Sequence, residues 1–410
     1  MMDKKLILLR ENSVYLYLYQ EDKDGIPSKS MKVFYNKKME INRDVTNLAL
    51  LAYNKLFVPS KLIIVDTMAA TGVGPIRMVK ECNNIEKIYI NDINPEAVNL
   101  IRQNLKLNNL RENSSMIEIS RKDSNYLLTE ITQNTFFLDN FQRPHVISID
   151  PFGTPNLYIN AAFNAIQKQN GLLCITATDT AVLHGVRQKT CQRKYMSRSL
   201  NSEYCKELGA RILLYFVARI ANINNIGVVP LFSFSSRHFI RLFLLTYKEK
   251  KRISENFGNF GYVLSCKCGY RAVVPNNILK IPQKCPICNS NKYFQYAGPL
   301  WTGMLHEIDF LKNLLEFNTQ MNYRNKKSIE KVINLAIEEN NMPPTYYSLH
   351  TLSSVLKLKY VPKIDEVVKS LRDKGYRASR THFDFTSIKT NLDWDSLKKF
   401  LKKFKNKKLA

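Results

Sequence analysis

The sequence predicts an α/β chain, with a Rossmann-like doubly wound sheet in its first part and a mainly helical α+β part after it. Three observations predict this. From Leu62 to about Tyr247 short β-branched runs alternate with amphipathic stretches, as in successive βαβ units. A glycine turn follows the first of these runs, where a nucleotide-binding sheet places its ligand loop. Beyond Trp301, after a cluster of four cysteines, apolar residues recur at helical spacing.

In order along the chain, Leu62–Asp66 (LIIVD), Lys87–Asn91 (KIYIN), His145–Asp150 (HVISID) and Leu172–Ala177 (LLCITA) have the near-continuous apolar character of strands buried on both faces. Each is followed by a turn and a helical pattern. Ile226–Ser235 and His238–Tyr247 are apolar enough to form the last strand pair. From Arg252 to Ile281 the chain is richer in Gly, Asn and Cys. Ile329–Glu339, Ser348–Leu356 and Ile364–Lys374 follow as helices, the last with Gly375 as its C-cap. With the extended Tyr376–Phe385 these predict a winged-helix-like unit. Leu397–Leu409 is a tail with seven lysines and no acid. No internal repeat is present.

Composition narrows the function. The 410 residues carry 61 Lys+Arg against 35 Asp+Glu, a formal charge of +26, while 45% are hydrophobic. That apolar fraction excludes a disordered basic tail and predicts two or three folded domains. The charge asks for a polyanionic partner, nucleic acid before a membrane surface. No run approaches the roughly 18 apolar residues of a membrane helix. The opening MMDKKLILLRENS has only a four-residue apolar core and no small-residue cleavage site, so it is not expected to be a secretory signal. Cys82, Cys174, Cys191 and Cys205 are scattered singles, as in a reduced compartment, so the protein is expected in the cytoplasm. No obligate protein partner is evident, and a monomer is expected.

Val65–Glu81 (VDTMAATGVGPIRMVKE) has the form strand, glycine loop, helix. Asp66 closes the strand. Ala69, Ala70, Gly72 and Gly74 let a ligand approach the backbone at a helix N-terminus, either a dinucleotide phosphate or the amino-acid end of S-adenosylmethionine. The next strand ends at Asp92, where a carboxylate can accept both ribose hydroxyls of an adenosine. In the third strand region Asp123, before Ser124, can face an adenine amino group. Acids at the second and third strand ends, without a full GxGxxG, favour S-adenosylmethionine over NAD.

Asp150-Pro151-Phe152-Gly153-Thr154-Pro155 follows the fourth strand on the same sheet edge. An acid-Pro-aromatic triplet there suits methylation of an exocyclic amine. The amine lone pair is delocalised into the base and is a poor nucleophile. A carboxylate and the carbonyl held by Pro151 accept its N–H bonds and return electron density to nitrogen, and the carboxylate takes the proton. An aromatic ring stacks on the extruded base.

With these residues assembled, the chain resembles the tRNA (guanine-26-N2)-dimethyltransferase family. Five motifs in order carry the resemblance: Phe34-Tyr35-Asn36 with Asn42-Arg43-Asp44, then Asp150 to Pro155, then Thr176 to Ala181 (TATDTA), then Gly298-Pro299-Leu300-Trp301, and finally Thr381-His382-Phe383. The resemblance implies a class I methyltransferase fold and roles for individual residues. Arg43 and Arg77 would contact the methionine carboxylate or nearby cofactor groups, Asp92 the ribose, and Asp123 with Ser124 the adenine. Asp150 would activate guanine N2, and Phe34 and Phe152 would sandwich the ring. One departure is Pro75 just before the Ile76-Arg77 pair, at a helix start where its missing N–H is harmless.

Cys266-x-Cys268 and Cys285-x-x-Cys288 have the spacing of a structural zinc ribbon, closed to catalysis. The resemblance implies the same zinc between two domains, though with CxxC as the first pair; here Ser265 stands where the first Cys of that pair would. The expected division is residues 1–250 as the S-adenosylmethionine-binding methyltransferase domain and residues 251–410 as a tRNA-binding domain with the four-cysteine site and the basic tail.

For tRNA contact, Arg187, Lys189, Arg193, Lys194, Arg198, Lys206 and Arg211 lie close together, interleaved with Tyr195 and Tyr204. Arg377, Arg380 and His382 form a second basic patch. Phosphate contacts of this kind bring a steep salt dependence, and the target guanine would be recognised through tRNA shape. Two other readings are a methyltransferase for a different exocyclic amine of RNA or DNA and a non-catalytic RNA-binding relative. The Phe-Gly-Thr-Pro continuation after Asp150-Pro151 speaks against the first, and the intact Asp92 and Asp150 against the second.

Overall fold

The computed structural model of the protein describes residues 6–22, 31–112, 115–277 and 280–403. Strands β1 (Leu6–Glu11) and β2 (Val14–Tyr19) open the chain as a hairpin, followed by helix α1 (Glu40–Leu56). The alternation then runs β3 (Leu62–Asp66), α2 (Val73–Glu81), β4 (Ile85–Asn91), α3 (Pro95–Leu107), β5 (Ile117–Ser120), α4 (Ser124–Phe137), β6 (Val146–Ile149), α5 (Ile159–Ala165) and β7 (Leu172–Ala177). Helices α6 (Thr180–Leu183), α7 (Gln188–Tyr195) and α8 (Cys205–Ile223) lead to the hairpin β8 (Gly227–Ser236) and β9 (Phe239–Tyr247). The second part comprises α9 (Lys250–Glu255), β10 (Phe260–Cys266), β11 (Arg271–Pro275), β12 (Phe294–Trp301), α10 (Ile308–Gln320) and α11 (Lys326–Glu338). It ends with β13 (Tyr347–Ser348), α12 (Leu349–Leu356), α13 (Ile364–Arg372), β14 (Ala378–Arg380), β15 (Ser387–Thr390) and α14 (Trp394–Leu401).

The central sheet has seven strands in the order β5-β4-β3-β6-β7-β9-β8. Strands β3 to β7 pair in parallel, and β9 runs antiparallel to both β7 and β8. The residues of β3, β6 and β7 are all buried, as their unbroken apolar runs require. The order reverses beside β3, between β4 and β6, and a ligand crevice opens at such a switch point outside the carboxyl ends of the strands.

The C-terminal order helix, strand, helix, helix, strand, strand is that of a winged helix, with a three-stranded sheet β13-β15-β14. Of the extended stretch expected at Tyr376–Phe385 only Ala378–Arg380 is strand, and its pairing partner is Ser387–Thr390. Gly375 closes α13 at φ +80°, with the Tyr376 N–H reaching back to the Leu371 carbonyl. Of the lysine tail, Lys398 and Lys399 lie on α14, while Lys405, Lys407 and Lys408 lie outside the described residues. No helix among the described residues is long and apolar enough to cross a membrane.

The two halves share their cores. Phe310, Leu311 and Leu314 of α10 and Ile329 and Ile333 of α11 are buried with Leu48, Ala49 and Ala52 of α1. A buried ionic chain fastens the far side. Glu207 on α8 receives the Arg211 guanidinium at 2.8 Å and the Lys389 ammonium at 2.8 Å, and Lys389 also lies 3.1 Å from Glu339. Glu339 in turn bonds Nδ1 of His382, whose Nε2 lies 3.0 Å from the Ser233 carbonyl. His382 and Arg211 are therefore interior joints and not members of a basic surface patch. Tyr195 and Tyr204 are buried in the core as well. Arg187, Lys189, Arg193 and Lys206 remain exposed, and Lys194 lies 3.5 Å from Asp179.

Candidate active site

At the switch point a cavity of about 750 Å³ opens, lined among others by Phe34, Ala70, Asp92, Asp123, Ser124, Asp150, Pro151 and Phe152. A smaller annex of about 90 Å³ adjoins it, lined by Asn42, Arg43, Thr46, Asp66, Thr71, Gly74, Asp150 and Arg241. The parallel sheet explains the gathering. Asp66, Asn91-Asp92 and Asp150 stand at or just past the carboxyl ends of three adjacent strands, so residues far apart in sequence meet along one edge.

The β3–α2 turn is shaped for close approach. Ala70 and Gly72 adopt φ +49° and +78°, and a Cβ on Gly72 would meet Ile101 at 3.1 Å. Gly72 therefore makes the turn, while Gly74 faces the annex and the Asp66 carboxylate. Asp92 is held open toward the cavity by two backbone donors, Ala70 N at 2.8 Å and Asn94 N at 2.9 Å. Asp123 caps α4 through Asn125 N at 2.9 Å, and Ser124 donates to the Thr67 carbonyl at 2.9 Å. Asn91 joins three loops, bonding Thr67, Ser120 and Lys122. Nothing in the sequence marks Asn91 apart from its place beside Asp92.

Burial raises the Asp66 carboxyl to about 7, the Met68 N–H opposes the shift, and the Asp150 charge adds to it. Folded Asp66 thus binds its proton more tightly than the unfolded chain does. Its ionisation weakens the fold as pH rises from its ordinary value through 7. Asp66→Asn should raise the melting temperature at pH 8 more than at pH 5.5. Equal gains at the two pH values would refute the burial account.

Asp150 sits between cavity and annex. Asn42 Nδ2 donates to its Oδ2 at 3.3 Å. Burial raises its carboxyl, while the Arg241 charge, the Thr176 hydroxyl and the Arg43 charge pull it back. The loop after it is clamped by Thr178, whose hydroxyl accepts from Gly153 N at 2.7 Å and whose N–H donates to the Gly153 carbonyl at 2.8 Å. Thr176 and Thr178 of the TATDTA motif thus hold the Asp150–Pro155 motif in place.

Phe34 and Phe152 meet across the cavity, but edge to face, with ring centroids 4.9 Å apart and planes at 79°. A base between them needs a spacing of about 7 Å, twice the roughly 3.5 Å of ring contact. The sandwich is not preformed, and Phe152, 45% exposed, is the ring free to swing.

The two arginines that the resemblance assigns to the cofactor stand in different places. Arg43 lines the annex, with its guanidinium forked onto Glu11 at 2.7 and 2.6 Å. Arg77 is fully buried and lines neither cavity. Its donors go to Glu11 at 3.0 Å, Asp44 at 2.6 Å and Glu81 at 2.9 Å. The residue signal that separates them is the acids Glu11, Asp44 and Glu81, which only the fold brings together.

The residues fit an adenosine cofactor with a polar tail. Asp92 offers a carboxylate to vicinal hydroxyls, and the annex carries buried polar atoms without partners, Asn42 Oδ1 and Thr71 Oγ1. The four cysteines fit a metal. All four sulfurs lie within 4.8 Å of one another, with Cys266–Cys288 and Cys268–Cys285 at 3.6 Å. Tetrahedral thiolates with Zn–S near 2.3 Å stand about 3.8 Å apart. Against the burial that raises it, backbone N–H groups of Cys288 and Ile287 hold the Cys285 thiol down to about 7. The short CxC pair works because β10 ends at Cys266 and Gly269 turns at φ +99°. Ser265 points elsewhere, to the Tyr204 hydroxyl at 2.8 Å. A second trio, His306, Glu339 and His382, is also close enough to share an ion, but the Lys389 ammonium already fills the cationic place there.

The sheet order, with its antiparallel strand β9, and the carboxylates at three neighbouring strand ends define a Rossmann-like fold of the class I methyltransferase type. The family of N2,N2-dimethylguanosine tRNA methyltransferases matches residues 17–402. The tRNA (guanine(26)-N(2))-dimethyltransferase of Methanosphaera stadtmanae is 34% identical over 384 residues, 93% of this chain and 94% of that one. The tRNA (guanine(26)-N(2)/guanine(27)-N(2))-dimethyltransferase of Aquifex aeolicus is 34% identical over 375 residues, 91% and 90%. Trm1 from Pyrococcus horikoshii, solved in complex with S-adenosyl-L-methionine, superposes with a TM-score of 0.79 at 28% identity, covering 96% of this chain and 98% of that one. The chain belongs to the N2,N2-dimethylguanosine tRNA methyltransferase family.

Proposed function

We propose that the protein methylates the exocyclic N2 of guanine 26 of tRNA, to N2-methyl- and N2,N2-dimethylguanosine. The observation that carries this is Asp150, held at a sheet-edge cavity beside Pro151, Phe152 and Phe34, next to a ribose-accepting Asp92. S-adenosylmethionine, when bound, supplies the electrophilic methyl group. Asp92 holds its ribose and Asp123 with Ser124 its adenine, and the annex takes its methionine end. Asp150 accepts an N2–H bond, which localises the lone pair on nitrogen, and takes the proton as the new N–C bond forms. Phe34 and Phe152 close on the two faces of the extruded guanine.

The test is methyl transfer from labelled cofactor to unmodified tRNA transcripts with guanine or adenine at position 26, followed by mass spectrometry of the nucleosides. Label confined to guanine as the N2-methylated species is expected. Equal labelling of both transcripts would sink the assignment. Phe34→Ala and Phe152→Ala should each lower kcat/KM for tRNA by about 10–100-fold, the roughly 1–3 kcal/mol of one base stack. A loss confined to KM for the cofactor would contradict the stacking role.

Residues 1–250 carry this chemistry, and residues 251–410 grip the tRNA, together with the exposed Arg187, Lys189 and Arg193. The four thiolates hold a structural zinc. A chelator should therefore lower the melting temperature by several degrees, and added zinc should restore it. An unmoved transition would count against the metal. The protein acts as a monomer in the cytoplasm, and light scattering checks the first point.

A further inference from the structure

Arg241, 1% exposed, is the third residue of β9, where it is paired directly with Thr176 of β7. A buried guanidinium ordinarily meets a carboxylate. Here it is bonded to two hydroxyls instead: Nη1 donates to Thr176 Oγ1 at 2.7 Å and Nη2 to Thr46 Oγ1 at 3.0 Å. Each hydroxyl leads to Asp150. The Thr176 hydroxyl lies on the Asp150 side and lowers its carboxyl. Thr46 donates at 2.7 Å to the carbonyl of Asn42, whose side-chain amide donates to Asp150 Oδ2 at 3.3 Å. Nε of Arg241 has no partner, and the guanidinium lines the annex behind Asp150.

We infer that Arg241 is a positioning residue for the methyl transfer. One fixed cation, acting through Thr176 and through Thr46–Asn42, keeps Asp150 ionised and aimed at the amine. The inference rests on the reading of Asp150 as the proton acceptor and assigns the groups that make it one. A hydroxyl whose oxygen accepts from a guanidinium still has its one O–H to donate onward, so each threonine can pass the orientation along. Direct contact would have occupied the lone pairs the amine needs. Two bonds away, the charge favours the ionised form and leaves those lone pairs free.

The other charged or titratable groups around this centre are Asp66 at the end of β3 and Arg43 on α1, which face Asp150, and Asp92 after β4 and Cys174 on β7, which face Asp66. Asp66 and Asp92 are acids, so they oppose ionisation, and Arg43 is already committed to Glu11. Arg241 is the cation that offsets them. Its loss should raise the Asp150 carboxyl further, so a larger fraction of the enzyme is protonated, and inactive, at a given pH.

The test uses the full-length enzyme, labelled cofactor and unmodified tRNA, with kcat and both KM values measured across pH. Thermal denaturation of each variant is recorded alongside. Arg241→Met and Thr176→Val are the probes, Arg241→Lys and Thr176→Ser the conservative rescues, and Asp150→Asn the second arm of a double-mutant cycle. We expect Arg241→Met to lower kcat at neutral pH at least about tenfold and to move the acid limb of the kcat profile up by about one pH unit. Both KM values should stay within about twofold, and Arg241→Lys should restore most of the rate. Thr176→Val should act in the same direction more weakly, and Thr176→Ser should reverse it. Arg241→Met placed on Asp150→Asn should cost almost nothing further. An unshifted acid limb in folded Arg241→Met or Thr176→Val overturns the inference. So does a full additional loss in the Asp150→Asn background, or a rise in KM for the cofactor at unchanged kcat. If Asp150→Asn itself retains the parent rate, the assignment of the proton acceptor fails. If Asp150→Asn is inactive but the Arg241→Met limb is unmoved, only the role of Arg241 fails.

Discussion

Asp150→Asn should lower methyl transfer by about 10²–10⁴-fold, the usual contribution of a positioned proton acceptor, without weakening the fold. Both halves of the expectation come from the same surroundings. In the proposed mechanism the carboxylate takes the N2 proton, and asparagine keeps the shape while losing that capacity. Burial also makes the charge costly, since it raises the Asp150 carboxyl above its ordinary value against the pull of Arg241, Thr176 and Arg43. The neutral amide removes that cost, so the melting temperature at pH 8 should hold or rise. The parent enzyme should lose rate as pH falls through the raised Asp150 value, since only the ionised form accepts a proton. That acid limb should be absent from the residual activity of the variant. A variant that stays folded and keeps a tenth of the parent rate would remove Asp150 from the chemistry.

Arg77→Met should destabilise the protein by about 3–5 kcal/mol, the cost of leaving buried charges without their partner. Arg77 has no exposed surface and donates to Glu11, Asp44 and Glu81. Two groups from the far half of the chain join the same cluster. The Tyr323 hydroxyl bonds Glu81 at 2.8 Å, and the Asn325 amide bonds Asp44 at 2.8 Å. Without Arg77 only Glu11 keeps a cation, Arg43, while Asp44 and Glu81 lose theirs, and the strap between α1, α2 and the α10–α11 turn loosens. Against the burial that raises it, Arg43 and Arg77 hold the Glu11 carboxyl down to about 2. Its stabilisation is therefore complete above the ordinary glutamate range and is lost as pH falls toward 2. Calorimetry of Arg77→Lys and Arg77→Met should show falling melting temperatures, with cofactor affinity of the folded fraction changed much less. A variant with an unchanged melting temperature and a hundredfold weaker cofactor would return Arg77 to the direct contact that the family resemblance implies.

Much of the seven-stranded sheet was legible because parallel strands write themselves locally. A strand buried on both faces must be apolar throughout, so LIIVD and LLCITA are read with their ends, and the acids at those ends are read with them. The glycine turn, Asp92 and Asp150 were found this way. Arg77, Arg211 and His382 show where local reading stops. Each is a polar residue in a basic or motif-like neighbourhood of the sequence, and each is buried against partners at long sequence separation: Glu11 for Arg77, the Trp301 and Gly303 carbonyls for Arg211, Ser233 for His382. A cation's place at the surface or in the interior depends on whether the fold delivers a carboxylate or carbonyl to it, and no spacing rule encodes that.

By itself, then, the sequence determined the sheet, its ligand edge, the two loop motifs beside that edge and the four clustered thiols, since all of these depend on apolar periodicity and short-range spacing. The tertiary structure alone decided how those parts are held. It packed α10 and α11 onto α1, closed Phe34 against Phe152, and turned Thr46, Thr176 and Arg241 into the support behind Asp150. The physical reason is that a buried polar group must find its partner wherever the chain returns, and that return is settled by the packing of whole elements and not by the residues beside it.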